Sequence, residues 1–112
     1  MQIRIETDPT RLCRVELEGD LDFHSSPDLR RELTKVVEQQ TPKVMVDLNK
    51  VAYIDSSGLA TFVELFQRMK RYSGKLVLCN LGQGVRSVFE IAKLDTIFKL
   101  AASREEALAL FS

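Results

Sequence analysis

The chain has 112 residues, 45% hydrophobic and 29% charged, a length that supports one core rather than two and a composition far from that of a disordered chain. Sixteen basic and sixteen acidic residues cancel and are interleaved along the sequence, so no global positive field is available to hold nucleic acid. The opening "MQIRIETDPTRL" lacks the apolar run of a signal peptide, and no run of about 18 apolar residues is present to span a membrane. The expectation is one cytoplasmic domain over residues 1–112, with no nucleic-acid or membrane partner.

Alternation in "QIRIET" and "LCRVELEG" gives two short strands around the turn signal "DPT", so the chain opens with a hairpin that Gly19 ends. After "DLDFH", Ser25 or Ser26 can cap a helix with Pro27 and Asp28 in its first turn. Leu29, Leu33, Val36 and Val37 then recur at helical spacing. Pro42 disfavours the helical conformation at Thr41 and ends this helix near "QQTP". "KVMVDL" reads as a central strand buried on both faces, and "VAYIDSS" turns into a second helix. Along that helix Leu59, Phe62, Val63, Leu65, Phe66 and Met69 form an apolar arc, while Ala60, Thr61, Glu64, Gln67, Arg68 and Arg71 fall outside it.

Ser73-Gly74 stops the second helix, and "KLVLCNL" is another central strand. Gly82 and Gly84 open a short third helix, "VRSVFEIAKL". "TIFKL" is an edge strand, and "SREEALALF" is a closing helix with Ser103 and Glu106 at capping-box spacing. The alternation argues for an α/β fold with a mainly parallel sheet and right-handed crossovers. Cys13 and Cys79 lie in apolar runs without a second ligand-type residue nearby, as expected of buried thiols with no disulfide.

The stretches "LEGDLDFHSSPDLRREL", "VAYIDSSGLATFVELF" and "GKLVLCNLGQGVRSVFEIAKLDTIF", in this order and over essentially the whole chain, resemble the STAS domain, specifically the stand-alone bacterial anti-sigma-factor antagonists. The first family element reads "GDLD" here, at Gly19 to Asp22; the second, Asp-Ser-Ser-Gly-Leu, is intact at Asp55 to Leu59. Asp20 stands where Glu is usual, Ser25 where Thr is common, and Ala60 where Gly is often found.

The resemblance implies a mixed, mostly parallel sheet of four to five strands with about four helices. It also implies a partner switch. The unphosphorylated protein binds an anti-sigma factor with GHKL-type serine kinase activity and so releases a sigma factor; phosphorylation of the hydroxyl directly after the Asp, Ser56, switches it off; a PP2C-type phosphatase restores it. The expected partner surface comprises Asp20, Asp22, Asp55, Ser56, Ser57, Gly58, Ala60, Thr61, Glu64 and Arg68.

Read from the residues alone, Asp55-Ser56-Ser57-Gly58 sits at a strand-to-helix turn. The open N–H groups and positive dipole end of the helix favour an anion there. Asp20, Asp22, Asp55 and Glu64 are candidate neighbours of a phosphate on Ser56. A hydrolase reading, with Ser56 as nucleophile and His24 as base, lacks a G-x-S-x-G elbow. A nucleotide-binding reading of "LGQGVRS" lacks a P-loop or G-x-G-x-x-G. No catalytic residue, cofactor or metal ligand is called for, and nothing demands a dimer, so a monomer is expected. The runner-up is a STAS module that scaffolds a stress-signalling or lipid-transport complex without being switched at Ser56.

Overall fold

Period-2 alternation in Leu12–Glu18 sends Cys13, Val15 and Leu17 to one face of a strand and Leu12, Arg14 and Glu16 to the other. The computed structural model, which describes residues 1–111, builds this strand into a five-stranded sheet. Its elements are β1 (Gln2–Thr7), β2 (Leu12–Glu18), α1 (Ser26–Glu38), β3 (Lys43–Lys50), α2 (Ser56–Lys70), β4 (Lys75–Cys79), α3 (Gln83–Ile91), β5 (Lys99–Ala101) and α4 (Arg104–Ala109). The spatial order is β1-β2-β3-β4-β5. β1 runs antiparallel to β2, and the other neighbours are parallel.

The expected hairpin is present. Asp8 closes it by accepting from the backbone N–H of Thr10 at 2.8 Å and of Leu12 at 3.1 Å, while Arg11 takes a left-handed φ of 67°. β3 is central, and Val44 to Leu48 are all buried, as its apolar run requires.

Because each parallel strand lies beside the one before it in sequence, right-handed crossovers put their helices on one face. Leu29 and Leu33 of α1, Phe62 and Leu65 of α2, and Val85 and Phe89 of α3 accordingly share one core with Val15, Val46 and Leu78. α4 is different. It covers the other face, where Ala107 packs with Leu12, Met45, Val77 and Cys79. Cys13 and Cys79 are therefore both buried but face opposite sides of the sheet. Burial, with the charge of Asp47 added, pushes the Cys79 thiol up to about 11, where it is unreactive.

Three elements depart from the sequence reading. The third helix, expected over "VRSVFEIAKL", runs Gln83–Ile91, because Lys93 takes a left-handed φ of 60° and Leu94 enters the next turn. The edge strand expected over "TIFKL" begins later, at Lys99, because Leu94–Thr96 forms a turn of 3-10 helix. That turn drives Phe98 into the core, edge-on to Phe66 and Phe89 with ring centroids 5.6 and 5.8 Å apart. The capping box of α4 is half formed: the Ser103 hydroxyl accepts from Glu106 N–H at 3.1 Å, but the Glu106 carboxylate accepts from Ala102 rather than from the cap residue.

An ion-pair chain fixes α4 to the sheet. Arg104 donates to Asp47 through Nε at 2.7 Å and reaches Glu16 through its second terminal nitrogen at 2.8 Å. Asn80 and the backbone N–H of Asn49 also donate to Asp47. Partial burial alone pushes the Asp47 carboxyl up, but these donors outweigh it and the net shift is downward. A depressed carboxylate adds stability above its unfolded value, near about 4, that is lost as pH falls through the folded one. Arg104→Ala is therefore expected to cost about 1 kcal/mol at neutral pH, solvent screening limiting the loss because Arg104 is 42% exposed. The deficit narrows below about pH 4. Urea titrations at pH 7 and pH 3 check this; an equal deficit at both values would rule out the Asp47 pairing as its source.

Candidate functional site

The site lies where β2 and β3 end and their chains continue as loops, the usual position for sites in parallel sheets. Here the two loops are joined by main-chain bonds. Gly19 N–H donates to Lys50 C=O at 3.0 Å, Leu21 N–H to Tyr53 C=O at 2.9 Å, and Asp55 N–H to Leu21 C=O at 3.1 Å. Leu21 and Ile54 form an isolated parallel bridge, with side chains 0% and 3% exposed.

Gly19 has φ 115°, which a side chain would oppose. Gly58 is needed for space. A Cβ there would stand 2.7 Å from Leu21 Cγ, 2.8 Å from Ile54 Cγ1 and 3.0 Å from Leu21 C=O. The N-terminus of α2 therefore rests directly on the loop that leads into α1.

Asp55 caps α2. One carboxylate oxygen accepts from Ser57 N–H at 2.9 Å, Gly58 N–H at 3.1 Å and the Ser57 hydroxyl at 2.6 Å. The Ser57 hydroxyl, followed by the backbone N–H groups of Gly58, Ser57 and Phe23, holds the Asp55 carboxyl below the usual carboxylate range. The two serines are thus unlike. Ser57 is half-buried and committed to Asp55, with the Ser26 hydroxyl 3.1 Å away on α1. Ser56 is exposed, and no side-chain hydrogen bond among the described residues engages its hydroxyl.

Across the seam, Asp22 rather than a serine organises the start of α1. Its carboxylate accepts from His24 and Ser25 N–H at 2.9 and 3.1 Å. Ser25 begins the helix without a side-chain cap; its hydroxyl accepts from Asp22 N–H and donates to Asp20 C=O. The Ser26 hydroxyl donates to Asp22 C=O at 2.6 Å. Asp20 and Asp22 are therefore held beside the Asp55 turn, and neither they nor Asp55 have an ion-pair partner among the described residues.

Three expectations require correction. The N–H groups of Ser57 and Gly58 are not open to a phosphate, because Asp55 occupies both. Thr61, placed outside the apolar arc, is 2% exposed; α2 packs against α1 as well as the sheet, which widens its buried stripe, and the Thr61 hydroxyl is satisfied by Ser57 C=O. Glu64 and Arg68 close the α1–α2 seam instead of forming an open ridge: Glu64 pairs with Arg30 at 3.0 Å, and Arg68 donates to Thr34 at 3.0 Å. Glu64 is also about 12 Å along the helix from Ser56, too far to be its neighbour. Ala60 alone of these remains exposed. Phe23 and Tyr53, 66% and 53% exposed on the joined loops, were not singled out from sequence. Large aromatics inside turn segments were the available signal.

The family profile of the STAS domain matches residues 2–107. The chain belongs to the STAS family. Among STAS relatives it is 37% identical over 95 residues to a Bordetella bronchiseptica protein named for anti-sigma factor antagonism, BtrV, covering 85% of this chain and 82% of that one. It is 35% identical over 92 residues to the anti-sigma-B factor antagonist of Bacillus subtilis, covering 82% and 84%. Its fold matches that of the anti-sigma factor antagonist SpoIIAA in the unphosphorylated form, with a TM-score of 0.83 at 22% identity over 96% of this chain and 93% of that one. The phosphorylated form of SpoIIAA matches with a TM-score of 0.77 at 20% identity over 99% and 100%. The five-stranded mixed sheet with four helices is thus the STAS architecture.

Gly58→Ala separates space from helix propensity. Alanine in a helix normally gains up to about 1 kcal/mol over glycine, but here the added methyl meets Leu21 and Ile54 and is expected to cost about 1–3 kcal/mol. Denaturant unfolding reads the sign, and a stabilised variant would mean that the two loops are not in firm contact.

Proposed function

We propose that this chain is an anti-sigma factor antagonist whose binding is switched off by phosphorylation of Ser56. The observation that carries the reading is the division between the two serines: Asp55 immobilises the Ser57 hydroxyl and leaves that of Ser56 exposed. The names of the relatives supply the partner class, an anti-sigma factor. The family resemblance adds that this partner is a GHKL-type serine kinase and that a PP2C-type phosphatase reverses the modification.

In the forward step the Ser56 oxygen attacks the γ-phosphorus of ATP, ADP leaves, and the hydroxyl proton passes to a base of the kinase. Hydrolysis of the phosphoserine by the phosphatase returns the hydroxyl and releases inorganic phosphate.

A phosphoserine brings about −1.5 to −2 charges. The nearest amides, those of Ser57 and Gly58, are already used by Asp55, so the new charge stands beside a carboxylate and faces outward. It alters the surface that a partner meets and leaves the α2 cap in place. The competing hydrolase reading has less support, since the His24 ring lies against Phe23 with centroids 4.1 Å apart and no hydrogen bond among the described residues joins it to the Ser56 hydroxyl.

Incubation with the anti-sigma factor kinase and ATP is expected to add one phosphate, on Ser56. Intact-mass and fragment spectra decide it; phosphate on Ser57, or none with a kinase that binds, contradicts the reading. Ser56→Ala is expected to bind as wild type does, and Ser56→Asp to bind at least roughly tenfold more weakly, as calorimetric titration would register.

Ala60 lies one turn from Ser56 on the open side of α2. Ala60→Arg is expected to change stability by no more than about 0.5 kcal/mol while blocking the anti-sigma factor. A stable Ala60→Arg variant of undiminished affinity would move the contact to the Gly19–Ser25 loop alone.

A further inference from the structure

Scattered exposed apolar side chains are ordinary on a protein surface. Ile91, Ile97 and Leu108 are of that kind, on α3, beside the 3-10 turn and on α4. Phe23 and Tyr53 differ because both sit on the two loops that flank Ser56. Phe23 lies between Asp22, whose carboxylate caps the turn, and His24, whose N–H donates to that carboxylate. Tyr53 accepts through its carbonyl from Leu21 and precedes Ser56 by three residues. Both exposed rings thus stand on the two bonded loops that carry the Ser56 turn.

The platform beneath them is rigid. The Leu21–Tyr53 and Asp55–Leu21 bonds, the Asp22 turn and the close approach of Gly58 fix both backbones. The Phe23 ring lies against the adjacent, exposed His24 ring at 4.1 Å between centroids, with planes tilted by 33°. Preorganised aromatics lose little conformational entropy on binding and are enriched at the centres of interfaces.

We infer that Phe23 and Tyr53 are the apolar anchors by which this chain docks on its anti-sigma factor, each entering an apolar pocket of that partner on either side of the Ser56 hydroxyl. The inference rests on the proposed function for the identity of the partner and goes beyond it in naming the residues that supply affinity and selectivity. Ser56 then acts as the gate between the two anchors: a phosphate there holds the partner off both pockets at once.

The test titrates purified anti-sigma factor kinase into wild type, Phe23→Ala, Tyr53→Ala and Tyr53→Phe, with melting curves confirming that each variant is folded. Each alanine variant is expected to bind more than about fivefold more weakly, with KM for the chain as kinase substrate rising in step, and Tyr53→Phe to recover most of the loss. Wild-type affinity in both alanine variants overturns the inference. So does a wild-type dimer in analytical ultracentrifugation that the same substitutions dissolve, since the rings would then serve a second copy. Phosphate on a residue other than Ser56 defeats the proposed switch while leaving the titrations readable, so the two failures are distinguishable.

Discussion

The structure turns on one short reciprocal contact: Leu21 gives its N–H to Tyr53 and takes that of Asp55, which locks the loop after β2 to the loop after β3. Everything at the site is placed by this lock. Its closeness is possible only because Gly58 offers no Cβ to Leu21 and Ile54. The glycine of the Asp-Ser-Ser-Gly motif is thus a packing requirement between two crossover connections, and the helix that follows is seated on the neighbouring loop.

Given that lock, one carboxylate divides two chemically identical hydroxyls. Asp55 gathers the first-turn amides and the Ser57 hydroxyl onto one oxygen, which satisfies donors that a helix N-terminus otherwise leaves open. What remains outside this arrangement is the Ser56 hydroxyl. The cap that stabilises α2 also removes the nearby amides as phosphate ligands. A phosphate on Ser56 is therefore left to act on whatever approaches from outside, and the fold beneath it has no need to rearrange.

The strands, helices and turn residues were largely legible because each depends on local pattern: β-branched alternation in β2, the apolar run of β3, the Asp8 turn, the Ser103 cap. The Asp-Ser-Ser-Gly turn was legible as a motif for the same reason. What the sequence did not disclose depends on partners distant in the chain. Thr61, Glu64 and Arg68 look solvent-facing on an isolated helical wheel, but α1 packs beside them, burying Thr61 and pairing the half-exposed Glu64 and Arg68 across the α1–α2 seam. α4 looks like any closing helix, yet Arg104 ties it to Glu16 and Asp47 on the face of the sheet that the other helices leave open. The start of β5 shifted because Phe98 is worth more in the core than in a strand register. Phe23 and Tyr53 carry no periodic signal, and only the joining of two loops reveals them as neighbours.

The central claim is that the two-loop lock and the Asp55 cap form a fixed platform that the proposed phosphate on Ser56 would leave undisturbed. Amide hydrogen exchange followed by NMR on the unphosphorylated and Ser56-phosphorylated chain tests this directly. The account predicts slow exchange at Leu21, Asp55, Ser57 and Gly58 in both forms, with protection unchanged by the phosphate. Loss of protection at these four amides on phosphorylation would contradict it, because the switch would then work by opening the lock rather than by altering the surface above it.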